Sequence, residues 1–432
     1  MGNVNRKGKG TVKMKKLGVA MSLVLATVSA QAALPEISNV VARQRWPWSG
    51  KVDIDFEVGA GDVCDLAVTA TYDGCAEPVD LVRNSTNLNV FGVGAGVYHF
   101  VWDPSADGLG DATLANFRVT VTAVPETDRK YLVLDLREGT CEYMSDVPEG
   151  GWTDEHKTRK LVMRRIPAGT YALGYPSDII GMTFPDTGNK SFKAVASARN
   201  VTISAPYYIA IFSTTFAQNN ALSGDGTSEN KKPHTGISYN GLRGSYDTDG
   251  IDWPDTAFEV SNSSVVKKYR DKFAGAFPKS WIIDLPTAAQ WEAAARAGAS
   301  STLWYNGGTS TDSAATLSAC LSAIAVWNGA VESNVGTKTP NGFGLYDVAG
   351  NRSDWLLDLA FSNTNAALGD STDPVGVVRS ASSGNRLLRG GLYNDTTFFS
   401  CAIGNVAKNE SPTQTFIGYR LCINTRNWVV GQ

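Results

Sequence analysis

Histidine is almost absent from this chain: His99, His156 and His234 are the only three in 432 residues. With so few, a multi-histidine metal centre is not expected. Cysteine is scarce too, with six residues, too few for a disulfide scaffold in a chain this long. There is no excess of positive charge: 39 basic residues face 42 acidic ones, a formal net charge of -3. A nucleic-acid binder that depends on counterion release needs a basic face, so that class is excluded. Charged residues make up only 19% and hydrophobic ones 43%, which excludes a disordered chain. What is plentiful is Gly (43) and Trp (11), a composition of turns and aromatic anchors. The length predicts roughly two to three domains.

The first residues read as a separate object. Met1 to Lys16 carries Arg6, Lys7, Lys9, Lys13, Lys15 and Lys16 and no acid. An uncharged run from Leu17 to Val28 follows, then Ser29-Ala30-Gln31-Ala32. A basic start, a short apolar stretch and an A-x-A site predict a secretory signal peptide over 1–32, cleaved near Ala32. Met14 is an alternative start, since Met14 to Ala32 is a complete leader alone. The apolar run falls short of the roughly 20 residues of a membrane span. The mature chain is therefore expected to be secreted, periplasmic or at the cell surface, with no membrane span. Removing the leader takes six basic residues and no acid, leaving 33 against 42, a net charge of -9.

From 33 to 126 the hydrophobic pattern has period two. Val52, Ile54, Phe56 and Val58 alternate with Asp53, Asp55 and Glu57; Leu66, Val68, Ala70 and Tyr72 do the same. So do Tyr98, Phe100 and Trp102, then Phe117, Val119 and Val121. Short alternating segments parted by Gly, Asp and Asn turns predict an immunoglobulin-like β-sandwich without a catalytic constellation. Its His99 reads as a surface or partly packed side chain. Cys64 and Cys75 are separated by an extended run of about 26 Å, whereas bridged Cα atoms lie within about 7 Å. These two are not expected to pair with each other. The stretch 127–160, an apolar burst (YLVLDL) followed by a polar Gly-Pro region, reads as a connector and domain boundary.

From 161 to 432 the chain is irregular and rich in Gly, Asn and Ser, with two clear helices. One carries Val265, Val266, Tyr269 and Phe273 at helical spacing behind Ser263-Ser264. The other opens on Thr287 with Gln290 three residues later, a capping box. Its Glu292 and Arg296 stand at i, i+4, and Gly298 supplies the stop. The fold class is α+β.

Six segments then come in a recognisable order: IPAGTYALG (Ile166 to Gly174), YYIAIFSTT (Tyr207 to Thr215), LPTAAQWEAAARAG (Leu285 to Gly298), PNGFGLYDVAGNRSDW (Pro340 to Trp355), LRGGLYND (Leu388 to Asp395) and GYRL (Gly418 to Leu421). The large domain so resembles the formylglycine-generating enzyme (sulfatase-modifying factor) family. The resemblance implies an irregular α+β architecture of the C-type-lectin kind. A β-sandwich in front of it is reminiscent of multi-copy exported bacterial members. Most motif residues read as scaffold: Leu388 to Gly391 ends a strand in glycines, Gly418 to Leu421 reads as a last core strand alternating buried and exposed, and Trp291 and Trp355 read as core anchors.

The resemblance also implies sites. Asp347, Gly350, Arg352 and Asp354 match family positions that give calcium a side chain, two backbone carbonyls and a carboxylate, so calcium is a candidate cofactor. The second acid is Asp where the family usually has Glu, a shorter reach. Oxidase members hold copper(I) between two thiolates after the R-G-G motif, as ligand softness favours. Those positions are Asp395 and Ser400 here, with Cys401 one residue late, so copper is not expected. A branch with three histidines on iron is excluded, because this domain holds only His234. Ser213 stands for the family's usual Glu, and Asn219 for its usual Trp. A Cys401–Cys422 bridge suits an exported protein, whereas Cys141 and Cys320 have no geometric reason to join.

Two functions follow as expectations. The first is a non-catalytic binding or structural module for an exported ligand or protein. Its surface would be the loop Tyr393, Asn394 and Asp395 onward, with Asn405, Asn409 and Thr413. The alternative is an oxidase converting a Cys of an exported sulfatase to formylglycine.

Overall fold

The period-two segments become strands β1 (Ile37–Gln44), β2 (Val52–Val58), β3 (Asp65–Thr71), β4 (Val79–Asp80), β5 (Ser85–Thr86), β6 (Gly96–Trp102) and β7 (Arg118–Val124). The computed structural model describes residues 34–45, 47–86, 88–110, 112–180, 197–360, 370–379, 384–396, 398 and 406–425. The leader at 1–32 lies outside them. Two antiparallel sheets form, in orders β1-β2-β6-β5 and β4-β3-β7. Val52, Ile54, Phe56 and Val58 are buried and Glu57 is exposed, as the alternation requires. Ile54 pairs with Phe100 across β2 and β6, and Phe56 stacks on Tyr98 at 5.5 Å. His99 is half-exposed and lies 2.8 Å from Asp55. Cys64 and Cys75 are free thiols.

The stretch 127–160 is not a structureless connector. It holds β8 (Tyr131–Asp135) and β9 (Thr140–Met144), a hairpin, and a short helix α1 (Glu155–Thr158). All five residues of β8 are buried, so both of its faces are covered. A doubly covered strand reads as a continuous apolar run rather than an alternation, and YLVLDL is such a run. β10 (Lys160–Ile166) pairs with β8, which carries the hairpin into the large domain's main sheet.

The remaining strands are β11 (Gly169–Leu173), β12 (Arg199–Ile203), β13 (Tyr207–Ala210), β14 (Ile282–Asp284), β15 (Ser353–Leu359), β16 (Ser371–Thr372), β17 (Asn385–Arg389), β18 (Val406–Asn409), β19 (Ile417–Gly418) and β20 (Cys422–Asn424). The helices are α2 (Ser177–Ile180), α3 (Phe216–Leu222), α4 (Tyr239–Arg243), α5 (Tyr246–Asp249), α6 (Val265–Lys272), α7 (Ala288–Arg296) and α8 (Ala314–Ile324). Three sheets result, in orders β14-β20-β13-β10-β8-β9, β18-β17-β15-β19 and β11-β12-β16. The capping box of α7 is present in both directions, Thr287 to Gln290 and back. α7 is buried at every residue from Ala289 to Arg296. Among the described residues no helix is long and apolar enough to cross a membrane.

Tyr419, Arg420 and Leu421 are all buried, so the GYRL segment does not alternate between buried and exposed. Cys422 is a free thiol on β20, in the main sheet beside β13 and β14, while β17 and β18 belong to another sheet. The hairpin-like return assumed for a Cys401–Cys422 bridge is therefore not the geometry of Cys422. Cys401 lies outside the described residues.

The sandwich meets the main sheet through a buried charge. Asp65 on β3 is fully buried and accepts from Arg165 of β10 at 2.5 Å, and Arg165 also reaches Glu126 at 2.6 Å. Phe91 fills the space beside them, 4.5 Å from the Trp281 ring and under the Arg165 guanidinium. Removing one partner of a buried pair leaves the other charge uncompensated. Arg165→Met is thus expected to lower stability by about 3 kcal/mol in urea unfolding. Adding Asp65→Leu should recover much of that loss. A single variant within about 0.5 kcal/mol of wild type would show the pair to be dispensable.

Candidate functional site

Two adjacent residues of α7, Trp291 and Glu292, each seat a buried polar cluster. Trp291 donates its indole N–H to Asp354 Oδ2 at 3.0 Å. Arg420 Nε donates to the same oxygen at 3.1 Å, and Ser213 Oγ to Asp354 Oδ1 at 2.8 Å. Arg420 spends its remaining nitrogens on the carbonyls of Ala210 and Tyr346, both at 2.8 Å. This explains why Arg420 is buried. Glu292 Oε1 accepts from Arg296 Nε at 2.7 Å and from the Gly174 N–H at 2.8 Å. Its Oε2 accepts from Arg389 Nη1 at 2.8 Å. Burial alone would raise the Glu292 carboxyl, but Arg389, Arg296 and Arg199 around it outweigh that and hold it down at about 2.

Of the calcium candidates, Asp347, Gly350 and Arg352 lie on the loop leading into β15, and Asp354 is the second residue of that strand. Asp347 has φ 54 and Gly350 φ 73. A Cβ on Gly350 would stand 2.3 Å from the Val326 carbonyl oxygen, so only glycine fits. The Gly350 N–H donates to the Gly390 carbonyl at 2.6 Å, which ties this loop to the R-G-G turn. Asp347 accepts from the Gly336 N–H at 2.7 Å through Oδ2, while the buried Oδ1 has no donor. Burial pushes its carboxyl up to about 6. Asp354 is in a different position, since its oxygens already serve Ser213, Trp291 and Arg420. Arg352 is not idle either: it pairs with Glu332 at 2.6 Å and its guanidinium covers the Tyr393 ring at 4.7 Å. Of the loop's two acids, only Asp347 therefore fits a cation as it stands.

The ligand-binding candidates divide. Tyr393, Asn394 and Asp395 form a turn against the loop that carries Asp347 and Gly350, with Tyr393 N–H on the Asn351 carbonyl at 2.9 Å. Asn394 is exposed and Tyr393 half-buried. Asn409 does not join them. It pairs with Asn385 at the far end of β17, four residues from Arg389, or about 13 Å along the strand. Its side chain accepts from the Ser411 N–H instead. Asn405 lies outside the described residues.

A family profile described as the Sulfatase-modifying factor enzyme 1-like domain matches residues 152–425. The chain belongs to the sulfatase-modifying factor family. Two solved structures are similar to it. Treponema denticola variable protein 1 is 22% identical, over 61% of this chain and 95% of its own, with a TM-score of 0.42. PvdO from Pseudomonas aeruginosa is 20% identical, over 63% of this chain and 97% of its own, with a TM-score of 0.44. No curated protein matches.

The family match starts at residue 152 and takes in Trp152 and α1. At the first thiolate position of its oxidase members, Asp395 accepts from the Leu392 N–H at 2.6 Å and its carbonyl takes the Asn328 N–H. Burial raises its carboxyl above the ordinary range. The second position, Ser400, lies outside the described residues. Ser213, at the family's usual Glu, donates to Asp354, and Asn219 lies within α3.

Sequence reading missed Glu332, and it missed Glu292 as a buried hub, taking Glu292–Arg296 for a simple i, i+4 pair. The available signal was the run Ala293-Ala294-Ala295 beside it. A helix with small residues all round is one packed all round.

Because Glu292 holds a lowered carboxyl, the stability it contributes is fully present above about pH 4.5 and is lost as pH falls toward 2. Glu292→Gln is expected to lower stability at pH 7 by several kcal/mol and to flatten the acid limb between pH 4.5 and 2. Urea unfolding across that range measures both. An unchanged acid limb would place the acid sensitivity elsewhere.

Proposed function

We propose that the chain is an exported, non-catalytic module that uses the sulfatase-modifying factor scaffold to present a binding surface. The observation that carries this reading is the donor set at the oxidase positions. A copper(I) site needs two soft thiolates facing one another. Here the first place is taken by a carboxylate already bonded to a backbone amide, and the second is serine. Cys422, just past the GYRL segment, has its thiol pushed well above the usual range by burial and faces Gln290. The surface is the turn at Tyr393 and Asn394 with the Arg352–Glu332 pair beneath it. It offers an aromatic edge, an amide and a charge pair to a polar partner such as a glycan or peptide. The basic leader with its A-x-A site supports export.

Incubation of the mature chain with copper(I), oxygen and a Cys-containing sulfatase peptide is expected to leave the peptide mass unchanged. Appearance of the aldehyde product overturns the reading in favour of a formylglycine-generating oxidase. Titration with glycans and cell-wall peptides should give millimolar or tighter binding that Tyr393→Ala with Asn394→Ala weakens about tenfold. Binding by no ligand class, or binding unaffected by the double variant, would remove the proposed surface.

Calcium is the cation this reading assigns to Asp347, whose unpaired oxygen and the Gly350 and Arg352 carbonyls would supply three of the roughly six to eight oxygens it takes. Asp347 has a raised carboxyl, so in metal-free protein its penalty is absent below about pH 4 and grows as pH rises through about 6. At pH 7, millimolar calcium is expected to raise the melting temperature by several degrees. Asp347→Asn should melt higher than metal-free wild type and lose the calcium response. A calcium response that survives in this variant would put the ion elsewhere.

A further inference from the structure

The geometry points to a second, anionic ligand: Arg199, Arg296 and Arg389 form a binding site for a small oxyanion, a carboxylate or phosphate, beside Glu292. On β12 the residues Arg199, Val201 and Ile203 share one face by strand alternation, and Val201 and Ile203 are fully buried. A guanidinium therefore stands on the face where an apolar side chain is expected. Its Nε and Nη1 are shut off from solvent and have no hydrogen-bond partner. The same holds for Arg296 Nη2 and Arg389 Nε, and those two residues are only 2% and 3% exposed.

Glu292 does not meet these four donors. Its oxygens are used by Arg296 Nε, Arg389 Nη1 and the Gly174 N–H. The other acid nearby is Asp358, buried, with its Oδ2 on the Ala288 N–H at 2.7 Å and its carboxyl pushed up by burial to about 6. Arg199 lies opposite Leu173 across β11 and β12, next to Gly174, whose N–H Glu292 accepts, so three guanidinium groups gather around at most two carboxylates. Burial lowers the Arg199 pKa, and repulsion from Arg389 and Arg296 adds to that fall, although Glu292 opposes it.

Buried donors left without acceptors are costly, and an unpaired buried charge more so. Guanidinium groups present N–H pairs that suit the two oxygens of a carboxylate or phosphate. One bound oxyanion supplies both the missing charge and several acceptors. Arg199 is half-buried, unlike its two neighbours, so the cluster has one side toward solvent through which an anion enters.

Thermal melting and calorimetric titration of the mature chain in chloride-free buffer test this, with inorganic phosphate and acetate in separate arms. Saturable stabilisation of wild type by at least one anion is expected, several degrees in melting temperature. Arg199→Met should bind that anion about tenfold more weakly, yet melt no lower than wild type when no anion is present. Arg199→Lys, which keeps the charge and loses the fork, should also weaken binding and decides the matter if the Met variant does not fold. Equal anion responses in wild type and the Arg199 variants overturn the site. So does a large loss of stability in Arg199→Met without anion, which would make Arg199 a structural cation already satisfied.

Discussion

The large domain depends on what Trp291 and Glu292 demand once α7 is buried. A helix covered on every side has to place its polar groups against chosen partners, because solvent cannot satisfy them. Trp291 asks for an acceptor and finds Asp354, and that carboxylate draws in Arg420 and Ser213. Glu292 asks for cations and amides and finds Arg389, Arg296 and Gly174. Apart from Arg296, on α7 itself, those partners come from the five other motif segments, each far from α7 in sequence. The recurring motifs are thus the separate ends of two buried clusters that one helix holds together.

The same logic applies elsewhere in the chain. Arg243 and Asp284 form a fully buried pair at 2.8 Å, and Arg386 joins Asp252 and Glu410 beneath Arg379. Asp65 and Arg165 do likewise where the sandwich meets the main sheet. Buried ion pairs add little net stability over apolar packing, but a misplaced partner is heavily penalised. In an irregular domain with short strands and long loops, that penalty selects one arrangement of loops over its near competitors. We take this as the physical reason that a scaffold with few regular elements keeps its shape.

Much of this is legible in the sequence, and most of what is not shares one cause. Period two identified the sandwich, the Thr287–Gln290 capping box marked α7, and the order of six short motifs indicated the family. What escaped were features created by burial on all sides. β8 was read as part of a connector because a strand covered on both faces has no alternation. The GYRL segment reads as alternating because a charged residue in a strand ordinarily is exposed, and only the distant partner Asp354 makes the inside favourable for Arg420. Glu292 was taken for half of a helical pair, since its contact with Arg389 spans 97 residues. Asn409 was grouped with Tyr393 by closeness in sequence, whereas the register of β17 and β18 sends it to the opposite end of the sheet.

If α7 is the element on which the other segments are assembled, its amides open only when the whole domain opens. Native-state hydrogen exchange on the mature chain measures this directly, comparing the segment 285–298 with those carrying Asp354 and Arg420. The account predicts that all three exchange together, at the free energy of global unfolding. Exchange of α7 ahead of the other two, at a lower free energy, would contradict it and would make the helix a passenger on a frame built without it.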